Sequence, residues 1–233
     1  MSARWVWRIA LALVTLVCLG LGSWQLVRLQ WKLALIARVD ARVHAPAQPA
    51  PPRAAWASLT AENAEYLHVQ ASGILQHQRS TLVQASTTLG PGYWVMTPLR
   101  LTDGSTILIN RGFVPERRLP TAPAEESTSV SGLLRLSETG GGFLRNNDAR
   151  AERWYSRDVQ AIAAARGLGS VAPYFIDAEA DPRAAPGAPV GGLTVIAFRN
   201  HHLVYALTWF TLAAMVLLRV WQIRRRQATM DEA

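Results

Sequence analysis

The chain has 233 residues, is half hydrophobic, and carries 24 Lys and Arg against 16 Asp and Glu, for a net charge of +8. That length suits one soluble domain with anchors and excludes two large domains. The cations flank apolar runs or mix with acids and form no basic stripe, which argues against nucleic acid, and the single cysteine excludes an internal disulfide, cysteine-based copper binding and thiol redox chemistry.

Residues 9–24 are uncharged and mostly aliphatic or small, with Arg4 and Arg8 before them and Trp5, Trp7 and Trp24 around them. The run is slightly shorter than the ~20 residues that cross a bilayer, and interfacial tryptophans and snorkelling arginines complete the span. No clean small-x-small cleavage site follows, and Thr15-Leu16-Val17 is a poor lipidation context for Cys18. The segment therefore reads as an uncleaved anchor: a first transmembrane helix over 5–27 and a helical extension over 28–44. Trp24, Arg28, Trp31 and Lys32 recur at three- and four-residue spacing and are expected on one face.

The proline-rich stretch 45–52 ends the helix, either as a stiff linker or as a wrap over the surface of the domain it opens. That domain, 45–198, is expected to be β-rich. Residues 66–75 alternate and predict a strand with a bulge at Gly73, with 80–85 as its partner. Residues 93–101 and 106–114 predict a hairpin closed by a tight Asp103-Gly104 turn, and Pro98 marks an edge or a bulge on its first strand. A strand is expected over 130–136. Asp158 caps a short helix through about Arg166, and Gly167 stops it. Residues 174–176 and 193–196 predict closing strands. Asn110-Arg111-Gly112 and Asn146-Asn147-Asp148 read as turn residues at strand ends, and Trp154-Tyr155 as core.

Residues 203–218 form the second apolar run, followed by Arg219 and by Arg224, Arg225 and Arg226. A second transmembrane helix is placed at 201–221, with a tail over 222–233. The C-terminal arginines and the Arg4/Arg8 pair favour the cytoplasm for both ends, which puts the main domain outside. The expected fold class is an α+β membrane protein: two transmembrane helices flanking a β-rich, mostly antiparallel extramembrane domain with one or two short helices.

His201 and His202 stand at the mouth of the second run. One reading makes both ordinary interfacial polar residues. The other makes His202 an axial ligand to haem iron, since on a helix it shares a face with Tyr205, Ala206 and Trp209, and Arg199 one turn earlier can pair with a propionate. Without a Cys-x-x-Cys-His sequence, such a haem is non-covalent. Trp24, Gln25, Arg28, Trp31 and Lys32 are either an aromatic belt with charge anchors or a surface for a partner or for haem propionates. His44, His68 and His77 lack metal-like spacing. Nothing nominates a nucleophile, a phosphate loop or any catalytic residue, so the chain reads as no enzyme.

Five motifs in order resemble the surfeit locus protein family: Gly22-Ser23-Trp24-Gln25-Leu26-Val27-Arg28 with Trp31-Lys32; Gly92-Tyr93-Trp94-Val95-Met96-Thr97-Pro98-Leu99; Leu108-Ile109-Asn110-Arg111-Gly112-Phe113-Val114-Pro115; Asn147-Asp148 with Trp154-Tyr155 and Asp158; and residues 200–210. The resemblance implies two spans around a β-rich periplasmic domain in a bacterial inner membrane. It implies a factor for cytochrome c oxidase biogenesis that helps haem a reach the catalytic subunit, with that subunit and haem a synthase as partners beside the lipid bilayer. By the second-span motif it implies His202 as the haem ligand. The residue reading adds Arg199, Tyr205, Trp209, Arg28 and Trp24 as candidates around the cofactor. His201 stands where the family often has asparagine. The alternative is a cofactor-free scaffold that stabilises an oxidase assembly intermediate.

Overall fold

The computed structural model describes residues 3–141, 145–196, 198 and 200–231. It divides into a helical unit, Met1–Arg38 with Ala197–Ala233, and a second unit, Val39–Ile196.

In the helical unit, α1 (Ala3–Val43, 41 residues) continues into the second unit for its last turn, and α4 spans His202–Asp231, 30 residues. The most apolar windows of the two are only 17% and 11% buried, which a soluble core helix does not tolerate but a helix facing lipid does. The less exposed positions recur every three or four residues: Leu11, Thr15, Cys18, Gly22, Gln25, Leu29 and Lys32 on α1, and His202, Ala206, Trp209, Ala213, Val216 and Val220 on α4. That is a heptad-like seam whose most buried positions are small, Thr15, Cys18, Gly22, Ala206 and Ala213, while many of the larger apolar side chains, such as Leu16, Val17 and Leu203, point outward. The helices run antiparallel, because Gly22 meets Phe210 while Gln25 meets His202 and Leu11 and Thr15 meet Leu217 and Val220. Thr15, Thr208 and Thr211 return their hydroxyls to the carbonyls of Leu11, Val204 and Leu207, at 2.8, 2.9 and 2.8 Å, so these three hydroxyls are not stranded in apolar surroundings.

The second unit is a mostly antiparallel sheet with few helices. Its elements are β1 (Gln48–Pro49), α2 (Ala61–Ala64), β2 (His68–Gln76), β3 (Thr81–Thr87), β4 (Gly90–Arg100), β5 (Thr106–Val114), β6 (Glu125–Leu136), α3 (Val159–Ala165) and β7 (Val171–Ala178). The sheet order is β1-β2-β6-β7-β5-β4-β3, and β2 also pairs with β4. Strands β2, β6, β7, β5 and β4 therefore close into a ring whose only parallel contact is β5 with β7. Ile107, Ile109, Tyr174 and Ile176 fill the interior with Val69, Leu75, Leu99 and Leu134. The alternate residues Leu108 and Phe175 pack outside the ring against α3, with Met96, Trp154, Val159 and Ile162. Both faces of β5 and β7 are buried, which accounts for their unbroken apolar runs.

The strand-level expectations meet the structure unevenly. Residues 45–52 wrap rather than link: β1 pairs with β2, and Ala50 donates to the Gln70 carbonyl at 2.9 Å. Gly73 is not a bulge, since β2 pairs with β6 in continuous register through it. It is instead where β2 meets Arg100 of β4, a closeness that a side chain would obstruct. Residues 81–87 pair with β4 rather than β2. Pro98 falls between the β3 partners, which end at Met96, and the β2 partners, which begin at Leu99, so its missing N–H costs no ladder bond there. The hairpin turn is wider than a two-residue turn: Leu101 donates to Ser105 O at 2.8 Å, Gly104 alone takes a positive φ of 80°, and the Asp103 carboxylate accepts from Ser105 N at 2.9 Å. Asp158 caps α3 by accepting from Ala161 N at 3.1 Å, and Gly167 follows at φ 59°. Residues 193–196 form no strand, since the ring is already closed without them. Thr194 instead donates its hydroxyl to Asp177 at 3.0 Å.

Asn110-Arg111-Gly112 is strand interior, not a turn. Asn110 donates to Asp177 Oδ1 at 2.7 Å. Asp177, at 5% exposure, also accepts from Arg157 at 2.9 Å and Arg135 at 3.3 Å. Glu138 and Glu65 neutralise the outer sides of those guanidiniums, with Arg135 Nε 2.7 Å from Glu65 Oε1. Gly112 holds a φ of 125° where Val190 bridges to Phe113. Asn147 does act locally, accepting from Tyr155 N at 2.8 Å; Trp154 is core, whereas Tyr155, expected beside it in the core, is only half-buried.

Candidate functional site

The candidate site lies in the helical unit where α4 begins. Asn200 Oδ1 accepts from the His202 backbone N–H at 3.3 Å, and the His201 carbonyl accepts from Tyr205 N at 3.1 Å, so the first turn is held from its own N-terminal side. His201 is exposed and His202 is half-buried in the seam. This separates the two imidazoles: only the second faces α1.

His202 Nδ1 lies 2.7 Å from Gln25 Oε1. An amide oxygen only accepts, so Nδ1 carries the proton and Nε2 keeps its lone pair. Among the described residues no hydrogen bond engages Nε2. One turn from Gln25, the Phe210 ring packs over Gly22, where a Cβ would stand 2.6 Å from the ring. Gln25 and Gly22 belong to the same seam, so the contact that lets the helices approach also sets the reach of the amide to the imidazole.

The other residues read from sequence fall at different places. Ala206 and Trp209 share the seam with His202, the former fully buried and the latter half-buried, whereas Tyr205 points outward at 56% exposure. Trp24 is exposed, and the Arg28 guanidinium stacks 4.9 Å from the centre of Trp31. Lys32 turns from that face to lie 4.8 Å from the centre of the Phe198 ring. Arg199 lies outside the described residues. Gln25 was visible in the motif, but its role was not; the signal was the 11-15-18-22-25-29-32 repeat, which sets it on the seam rather than on the exposed Trp24–Arg28–Trp31 face. No Asp or Glu occurs in residues 3–39 or 198–230, so Arg28 and Lys32 meet aromatic faces and no carboxylate of these helices.

A second polar group sits at one end of the β-ring. Arg111 Nη1 is 3.0 Å from His77 Nδ1, and His77 Nε2 is 3.0 Å from Glu126. The guanidinium can only donate, so the His77 proton sits on Nε2 and points to the carboxylate. Burial pushes the Arg111 guanidinium down, against the pull of Glu126. Arg111 and Glu126 border a cavity of about 340 Å³ floored by Leu75 and Ile109. Among the described residues no three His, Cys, Asp or Glu side chains gather in a metal-holding cluster.

The SURF1 family model matches residues 12–214, a stretch holding both Gln25 and His202. The chain is 34% identical over 233 residues to Surfeit locus protein 1 of Homo sapiens, covering 91% of this chain and 74% of that protein. It is 34% identical to a SURF1-like protein of Monosiga brevicollis over 94% of this chain and 87% of that one. It is 33% identical to a SURF1-like protein of Caenorhabditis elegans over 85% and 68%.

Proposed function

The chain belongs to the SURF1 family, and from that premise we propose that it is an assembly factor for cytochrome c oxidase that holds haem a on its way to the catalytic subunit. Family membership supports the oxidase role. The haem role rests on one observation: Gln25 fixes the His202 tautomer so that Nε2 offers a lone pair, as metal-bound imidazoles are held by an acceptor on their other nitrogen. His202 would hold haem a through that nitrogen, and the bound haem would supply the iron centre. Ala206 and Trp209 lie along the same face, and Arg28, Lys32 and Arg199 provide cations for propionates. A single neutral ligand beside a half-exposed entrance suits transient holding, and the role involves no bond-making by the protein. Haem a synthase upstream and the oxidase catalytic subunit downstream are the expected partners.

We place the chain in a bacterial inner membrane. Arg8, Arg219, Arg224 and Arg225 mark the end of the helix pair opposite His202 and favour the cytoplasm there, which puts the barrel in the periplasm. The Gln25–His202 bond also suits a second reading, a cofactor-free scaffold in which it simply ties the helices together. The absorption spectrum of detergent-purified protein, co-expressed with haem a synthesis, separates the two. A Soret band that His202→Ala removes supports haem handling. No band, or one unchanged by the substitution, leaves the scaffold.

A further inference from the structure

At the end of the helix pair away from His202, a cavity of about 380 Å³ opens between the helices, with Arg8, Leu11, Ala12 and Thr15 on one wall and Leu217 and Arg224 on the other. Its length is apolar, because the Thr15 hydroxyl is turned back onto the Leu11 carbonyl. The two guanidiniums come from different helices and border the same cleft. Arg8 lies 6.0 Å from the centre of the Trp5 ring, and among the described residues neither Arg8 nor Arg224 makes a hydrogen bond or ion pair. Among the described side chains neither helix offers a carboxylate there, since residues 5–39 and 200–225 hold no Asp or Glu. Two like charges at the mouth of an apolar cleft repel each other, and an anion between them relieves that repulsion.

We propose that this cleft binds an anionic glycerophospholipid, with its phosphate between Arg8 and Arg224 and an acyl chain along Leu11, Thr15 and Leu217. Guanidinium forks match phosphate oxygens in pairs, and the apolar walls match a chain that a free anion lacks. The site rests on the membrane-spanning reading and is independent of haem. Bound lipid staples the two helices at the end remote from Gln25 and His202.

The test uses the full chain, purified in a neutral detergent and offered phosphatidylglycerol or phosphatidylcholine, with retained lipid counted by native mass spectrometry. Phosphatidylglycerol is expected to be retained over phosphatidylcholine. Each of Arg8→Gln and Arg224→Gln should weaken retention about fivefold, and the pair about thirtyfold, at roughly 1 kcal/mol per cation. Arg219→Gln, which removes the same charge outside the cleft, should change nothing, and Arg8→Lys with Arg224→Lys should keep the preference. Equal retention of the two lipids, an equal loss in Arg219→Gln, or displacement of phosphatidylglycerol by millimolar inorganic phosphate overturns the site. An alkaline carbonate wash of the source membranes tests the spanning reading separately: release of the chain sinks that reading whatever the lipid count.

Discussion

The carbonyl oxygen of Arg100 occupies the space into which a side chain at Gly73 would project. This is where β2 reaches β4 and the five-stranded ring closes. The obstacle is backbone, so it cannot rotate away as a side-chain end would. Gly73→Ala should therefore destabilise the domain by about 2–3 kcal/mol, within the range of overpacked cores. A thermal melt of the β signal by circular dichroism checks it. An unchanged midpoint would show that β2 and β4 can part at little cost.

Gln25 should matter to haem through His202 alone. Gln25→Leu removes the acceptor and frees the imidazole to choose either tautomer, so haem affinity should fall about 10- to 100-fold, the usual effect of losing such a supporting acceptor. Gln25→Glu keeps an acceptor and should hold affinity near that of the parent. Spectral titration with haem distinguishes them. Equal behaviour of the two variants would mean that the amide has no part in ligation.

Asp177 gathers Asn110, Arg135, Arg157 and Thr194 around one buried carboxylate. Asp177→Ala takes the shared inner carboxylate from Arg135 and Arg157, which keep only Glu65 and Glu138 on their outer sides, and breaking one side of such a network costs about 3–5 kcal/mol. Thr194→Ala removes one of several donors to that carboxylate and should cost about 1 kcal/mol. Urea midpoints of the two variants should differ accordingly, and comparable midpoints would refute the central place given to the aspartate.

Acid should weaken the fold through Glu138. Burial pushes its carboxyl up, but the hydrogen bond and charge of Arg157 outweigh that and hold it below its ordinary value of 4.5. The folded state thus binds the proton less readily than the unfolded state. The stabilisation is complete above pH 4.5 and is lost as pH falls through the lower folded value. Glu138→Gln should show a flatter loss of stability as pH falls through that window than the parent does. Parallel curves would remove Glu138 from the account of acid sensitivity.

Local chemistry marked many of these elements in advance. The β4–β5 hairpin and the Asp158-capped α3 were legible because their signals lie within a few residues of what they organise. The errors share a different cause. Asn110 looked like a turn residue because its partner, Asp177, is 67 positions away, and no local pattern announces it. Residues 193–196 looked like a strand because alternation reports a half-buried extended segment but says nothing of a free sheet edge to join. At the candidate site, the histidine stood out by type, whereas the glutamine that aims it became visible only once the seam periodicity set it opposite.

The seam also holds the molecule's single thiol. Cys18 sits between Thr15 and Gly22 at 6% exposure. A maleimide can reach it only when α1 and α4 draw apart. Its labelling rate in the native sequence therefore serves as a clock for helix separation, with no engineered probe, and can be read with haem or lipid present or withheld.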